Sequence, residues 1–258
     1  MILYEHPVSS YAQKIKIALR EKGIAFKCKI PQNFGTDQIE PDFVQANPRL
    51  EVPVLIDEDI RLFDSTIIFE YLEDKWPEPS LLPRSPKNRA AARMIEDICD
   101  THYEAVNWGY GELLWFNRAT GALAVHLKKE VVRQTQVLQD WLSNRLGEAD
   151  WFGGQHFGWA DVAAAPMVNR SIHYGFSPLP NSRLAAWHAR LIKRPSVVQT
   201  FAEFDAAVSN RGDGAALYAS GKRQREYRDH RLEWMIKSGG LEIVQDGLRK
   251  ANIRFTWP

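Results

Sequence analysis

A chain of 258 residues with 45% hydrophobic composition can bury two cores of its own, which excludes disorder throughout. A formal charge of +1 gives no global field to attract nucleic acid or anionic lipid, and no apolar run approaches the ~18 residues of a membrane span. The N-terminus lacks a charged region followed by an apolar core and a cleavage site, so a cytoplasmic protein without nucleic-acid or membrane partners is expected.

Ile2, Leu3 and Tyr4 read as a first strand, and His6, Pro7 and Val8 as a loop before a helix that begins at Ser9-Ser10 and runs to about Gly23. Ile15, Ile17, Ala18 and Leu19 mark its packed side, and Ser10 with Gln13 has capping-box spacing. Residues 25–30 form a second strand on which Phe26, Cys28 and Ile30 alternate with lysines, so Cys28 is expected to be a buried, inert thiol. Cys28 and Cys99 stand far apart, with neither metal nor redox spacing. Residues 37–46 read as a helical region broken by Pro41.

Val52, Val54, Leu55 and Ile56 read as a strand, yet Pro53 has no amide hydrogen and belongs at the strand's start. A cis bond at Val52-Pro53 turns the N–H and C=O of Val52 outward, where they suit an extended peptide; a turn proline before an edge strand accounts for the same residues. Glu58 and Asp59 turn the chain into a second hairpin strand at Ile60–Leu62. Asp64 and Ser65 then open a helix with Ile67, Ile68, Tyr71 and Leu72 at helical spacing, and capping is their simplest role.

Four prolines between residues 77 and 86 end that helix and mark a domain boundary. Beyond them the pattern is helical over residues 88–118, 121–146, 161–173 and 182–193. Asp161 sits at a third helical position, where a carboxylate satisfies orphan amides, so it is read as a folding residue. In the first of these helices Tyr103, Trp108, Tyr110, Trp115 and Phe116 cluster; this stripe suits either core packing or a flat aromatic substrate. Residues 222–258 read as two helices split at Gly239-Gly240, and their apolar stripes predict a tail folded back over the cleft between the domains. The basic run Lys222, Arg223, Arg225, Arg228 and Arg231 reads as a solvated helix face, with a site for an anionic ligand or nucleic acid as the lesser reading.

The Val-Pro strand, the hairpin and the acidic-Ser helix start together resemble the glutathione transferase superfamily, over roughly residues 1–208. The resemblance implies a thioredoxin-like α/β domain at 1–80, an all-helical acceptor domain at 87–210 and a helical extension at 211–258. It implies glutathione as co-substrate, without a metal. Val52 and Pro53, with Glu51 beside them, take the cysteinyl part, and Asp64 and Ser65 take the γ-glutamyl end. Ser9, with Ser10 as its neighbour, aligns with the catalytic serine of the zeta and theta classes, whose hydroxyl at a helix start holds the thiolate; helix capping is their other reading. Tyr11, Trp108, Trp115 and Phe116 fall to the acceptor, an apolar or aromatic electrophile. A detoxifying homodimer is implied, with a β-aryl etherase-like lyase or a non-catalytic scaffold as the rival readings.

Overall fold

The structure, a computed structural model, describes residues 1–36 and 38–255. The first domain runs β1 (Ile2–Tyr4), α1 (Ser10–Glu21), β2 (Lys27–Lys29), α2 (Pro41–Ala46), β3 (Val54–Asp57), β4 (Ile60–Phe63) and α3 (Ser65–Lys75). This is the thioredoxin-like order, in a sheet ordered β2-β1-β3-β4. β2 runs parallel to β1, as a helical crossover demands, and the hairpin strands β3 and β4 are antiparallel. The Val52-Pro53 bond is cis, and β3 begins at the next residue.

Several expectations change. Pro41 opens α2 at its first turn, where a missing amide hydrogen costs nothing, rather than breaking a helix; Asp37 lies outside the described residues. Cys28 is exposed, not buried. β2 is a three-residue edge strand whose one partner is β1, and of the Phe26 and Ile30 that flank it Phe26 reaches the core and Ile30 does not. Ser9, not Ser10, caps α1: its Oγ accepts from Ala12 N at 3.3 Å, and Gln13 donates to Pro7 O at 2.7 Å instead of closing a capping box.

The second domain holds α4 (Pro86–Ile98), α5 (Glu104–Leu114), α6 (Gly121–Leu146), α7 (Trp159–His173), α8 (Arg183–Leu191) and α9 (Pro195–Ser209). The single helix expected over residues 88–118 is α4 and α5 joined by a π-helical turn at Cys99–Tyr103. Asp161 caps α7 as expected, accepting from the amides of Gly158 and Phe152 and from Trp187 Nε1 at 2.8 Å. Gly158 stands before it because a Cβ there would lie 2.9 Å from the Leu81 carbonyl.

α1 is the hinge of the packing. It packs against α3, α7 and α9 and shares a core with Leu3 and Leu55 of the sheet, so residues off its apolar stripe are buried as well. Lys14 and Lys16 are almost wholly buried. Lys14 is held by Asp100 and Glu96, and Lys16 by Glu5 at 3.1 Å and Glu203 at 2.7 Å. Each lysine therefore ties the first domain to the second through a desolvated pair, and losing one partner would leave a buried charge.

The tail contains α10 (Gly214–Ala219), β5 (Arg225–Tyr227), α11 (Asp229–Lys237), α12 (Leu241–Arg249) and β6 (Ile253–Phe255). The break at Gly239-Gly240 is where the sequence places it, but the extension is not wholly helical: β5 and β6 pair in parallel. Trp234, Met235, Ile243, Val244 and Ile253 form one core with Trp108, Leu127 and Val131 of α5 and α6. Gly109 admits this contact, since a Cβ there would sit 2.2 Å from the Trp234 ring. Phe255 is exposed, while Thr256 and Trp257, expected to close the tail, lie outside the described residues.

Candidate active site

One cleft of about 870 Å³ opens between the domains. Its first-domain wall carries Ser9, Ser10, Glu51, Val52, Pro53, Asp64 and Ser65. Its second-domain wall carries Trp108, Trp115 and Phe116, with Tyr11 between the two. Every site residue expected from the sequence thus faces the same space, although the two sets are far apart in the chain.

The first-domain wall consists largely of backbone donors and helix starts. Among the described residues, neither the amide nor the carbonyl of Val52 has a backbone hydrogen-bond partner, so both can pair with an extended ligand. Asp64 caps α3, accepting from Thr66 N at 2.9 Å, and adopts a left-handed φ of 75°. Such a conformation is sparsely populated outside glycine, and strain of this kind concentrates at ligand clamps. The N-termini of α1 and α3 point partial positive charge towards the cleft from Ser9 and Asp64.

Ser9 Oγ accepts from the helix, which leaves its hydroxyl hydrogen for a ligand. Tyr11 has no such freedom, because its hydroxyl donates to Asp100 O at 2.6 Å. Burial, with Glu104 and Asp100 nearby, pushes the Tyr11 phenol well above its ordinary range. Burial and then the charges of Arg223 and Arg170 push His6, also on the cleft, down to about 4, so it is neutral at physiological pH.

The tail forms the rest of the cleft. The four arginines of the basic run expected on a solvated face instead line the cleft and are half-buried; Lys222 alone of the five is exposed. Two buried carboxylates of α5 receive two of its arginines. Glu104 takes Arg231 at 2.6 Å and His230 at 3.0 Å; Glu112 takes Arg225 at 2.6 Å and Arg118 at 2.7 Å. Glu104 and Glu112 inside an otherwise apolar aromatic helix were a legible sign that cations must come from elsewhere. The aromatic faces are not bare either: Arg225 lies 3.8 Å from the Phe116 ring, Arg231 5.4 Å from Trp108 and Arg211 4.9 Å from Trp115.

Glu51 joins wall and tail. It pairs with Arg49 at 2.8 Å and faces Arg228 at 3.6 Å, while Arg254 reaches from β6 to Glu226 and to the carbonyls of Arg49 and Leu50. Burial, then the hydrogen bond its protonated form donates to Glu226 and the charge of Glu226, push the Glu51 carboxyl up to about 7 against the pull of both arginines. An acid whose folded pKa is raised binds more protons folded than unfolded, so stability is highest below about 4.5 and falls as pH rises towards 7. Glu51→Gln should remove that slope and be the more stable form at pH 8, by about 1–3 kcal/mol; denaturant melts at pH 5 and 8 measure it.

A profile of the glutathione S-transferase N-terminal domain matches residues 3–80, and one of the C-terminal domain matches residues 140–190. The chain is 30% identical over 210 residues to the probable glutathione S-transferase parC of Nicotiana tabacum, covering 78% of this chain and 88% of that one. It is also 29% identical to the stringent starvation protein A homolog of Haemophilus influenzae, over 79% of this chain and 91% of the other. A glutathione S-transferase from Methylobacterium radiotolerans, solved with glutathione sulfonate, superposes with a TM-score of 0.65 at 28% identity, covering 77% of this chain and 93% of its own. The chain belongs to the glutathione S-transferase family.

Proposed function

We propose that this protein is a glutathione transferase in which Ser9 donates to the sulfur of bound glutathione and stabilises the thiolate for attack on an electrophilic acceptor. The observation that carries this reading is the convergence, on one cleft, of the free backbone of Val52, the capped start of α3 at Asp64-Ser65, and Ser9 at the start of α1. Glutathione's thiol titrates near ~8.5, so only a few per cent is thiolate at neutral pH. A hydroxyl donor at a helix N-terminus lowers that value by favouring the charged form. Val52 pairs with the cysteinyl residue, and Asp64 and Ser65 hold the γ-glutamyl amine and carboxylate. Ser10, one residue into α1 and buried, is a neighbour and not the donor.

Retention on immobilised glutathione, followed by conjugation to 1-chloro-2,4-dinitrobenzene, tests this function. A non-catalytic scaffold, the other reading, predicts no conjugation with any acceptor. The same thiolate could cleave an aryl ether, and a β-aryl ether substrate beside the nitroaromatic separates the two reactions. We place the protein in the cytoplasm; among the described residues no helix is long and apolar enough to cross a membrane.

We further propose a homodimer meeting along α3 and α4. Ile67 on α3 and Met94 on α4 are apolar and about half exposed, at 53% and 51%. Light scattering at micromolar concentration should give the mass of two chains, and Ile67→Glu should halve it.

A further inference from the structure

Among the described residues most of the arginines around the cleft are paired with carboxylates; Arg170, Arg211 and Arg223 are not, and of these Arg211 is exposed. Arg170, on α7, has Nε and Nη2 buried without a hydrogen-bond partner among the described residues. Its guanidinium lies 5.6 Å from the Trp115 ring, beside Tyr174. Arg223, at the start of the tail, donates its Nη2 to the Phe34 carbonyl at 3.3 Å. Neither has a carboxylate within 4.0 Å among the described residues, although Arg225, Arg228, Arg231 and Arg254 each do. Both line the cleft with His6, whose protonation is suppressed first by burial and then by their two charges. A partly desolvated guanidinium without a counter-ion is costly in an empty site, and an anion of the right geometry removes that cost.

We propose that Arg170 and Arg223 form an anion subsite of the acceptor pocket, and that the acceptor is a flat aromatic electrophile bearing a carboxylate, with its ring against Trp115. This rests on the transferase reading and replaces a wholly apolar acceptor with an anionic one. Glutathione's own glycyl carboxylate is the other possible source of the anion, since Arg223 also touches the loop at Phe34. Arg170 argues for the acceptor, because it projects from the helical domain beside Trp115 and Tyr174 rather than from the wall that carries Val52.

The test is titration calorimetry of the full chain with S-(4-carboxybenzyl)glutathione, S-(4-carbamoylbenzyl)glutathione and S-methylglutathione, compounds that need no turnover. The carboxylate should bind about ten- to a hundredfold more tightly than the carboxamide, as expected for charge-assisted hydrogen bonds. Arg170→Gln and Arg223→Gln should each reduce that ratio at least about fivefold, whereas Lys222→Gln, an exposed cation outside the cleft, should keep it. Equal binding of carboxylate and carboxamide by the unaltered protein overturns the proposal and leaves the transferase reading standing, whether or not the variants fold. Weakening of all three compounds alike in the variants assigns the two arginines to glutathione's glycyl carboxylate and also overturns it. Failure of all three to bind removes the glutathione reading, and the anion subsite with it.

Discussion

Replacing Ser9 with alanine should leave glutathione bound while raising the pKa of its thiol by about 1 to 2 and lowering turnover at neutral pH about ten- to a hundredfold. A hydrogen bond to a charged group is worth roughly 1.5–3 kcal/mol, and a pKa change of one corresponds to about 1.36 kcal/mol. Binding persists because the backbone of Val52 and the start of α3 are untouched by the substitution. Ser9 is also the N-cap of α1, so the variant should lose about 1 kcal/mol of stability, whereas Ser10→Ala, which removes no cap, should lose less. The measurement is a pH titration of thiolate absorbance in both enzyme–glutathione complexes. A raised pKa in Ser10→Ala alone would move the donor by one residue. An unchanged pKa in both would leave the thiolate to backbone amides, since the Tyr11 hydroxyl is engaged at Asp100.

Glu104→Ala should be among the most damaging single changes in the chain, costing about 3–5 kcal/mol, because it leaves Arg231 and His230 facing a buried gap. Limited proteolysis should then cut between residues 211 and 224, as α11 loses its anchor on α5. Glu104→Gln combined with Arg231→Met should recover most of the loss, since removing both charges avoids burying either alone. Burial raises the Glu104 carboxyl, but the charge of Arg231 and the hydrogen bonds from His230 and Arg231 outweigh it and hold the group well below the ordinary carboxylate range. A depressed acid contributes stability that is complete above its unfolded pKa near ~4.3 and is lost only as pH falls through the folded value. The unaltered tail should therefore stay docked on acidification to well below pH 4, with the slope in that range absent from Glu104→Gln. The opposite slope from Glu51 lies between about 4.5 and 7, so the two carboxylates separate on one pH series.

Local chemistry made the first domain legible from residues alone. The strand and helix order, the hairpin turn at Glu58-Asp59, Pro53 at the start of β3 and the cap at Asp64 rest on interactions within a few positions, as does the cap at Asp161 in the second domain. The glycine-glycine break in the tail was readable for the same reason, since two glycines end a helix whatever lies beside it. Only the tertiary structure decided the fate of the charges. Lys14 and Lys16 are buried because α1 is packed on both sides, and the partners Glu96, Asp100 and Glu203 come from the other domain. The basic run faces inward because Glu104 and Glu112, more than a hundred positions earlier, need its guanidinium groups. The exposure of Cys28 follows from β2 being an edge strand, which its alternating pattern does not reveal. Periodicity records which face of an element is apolar, but long-range pairing determines what covers the other face, and here that pairing turned an expected solvated face into a wall of the cleft between the domains.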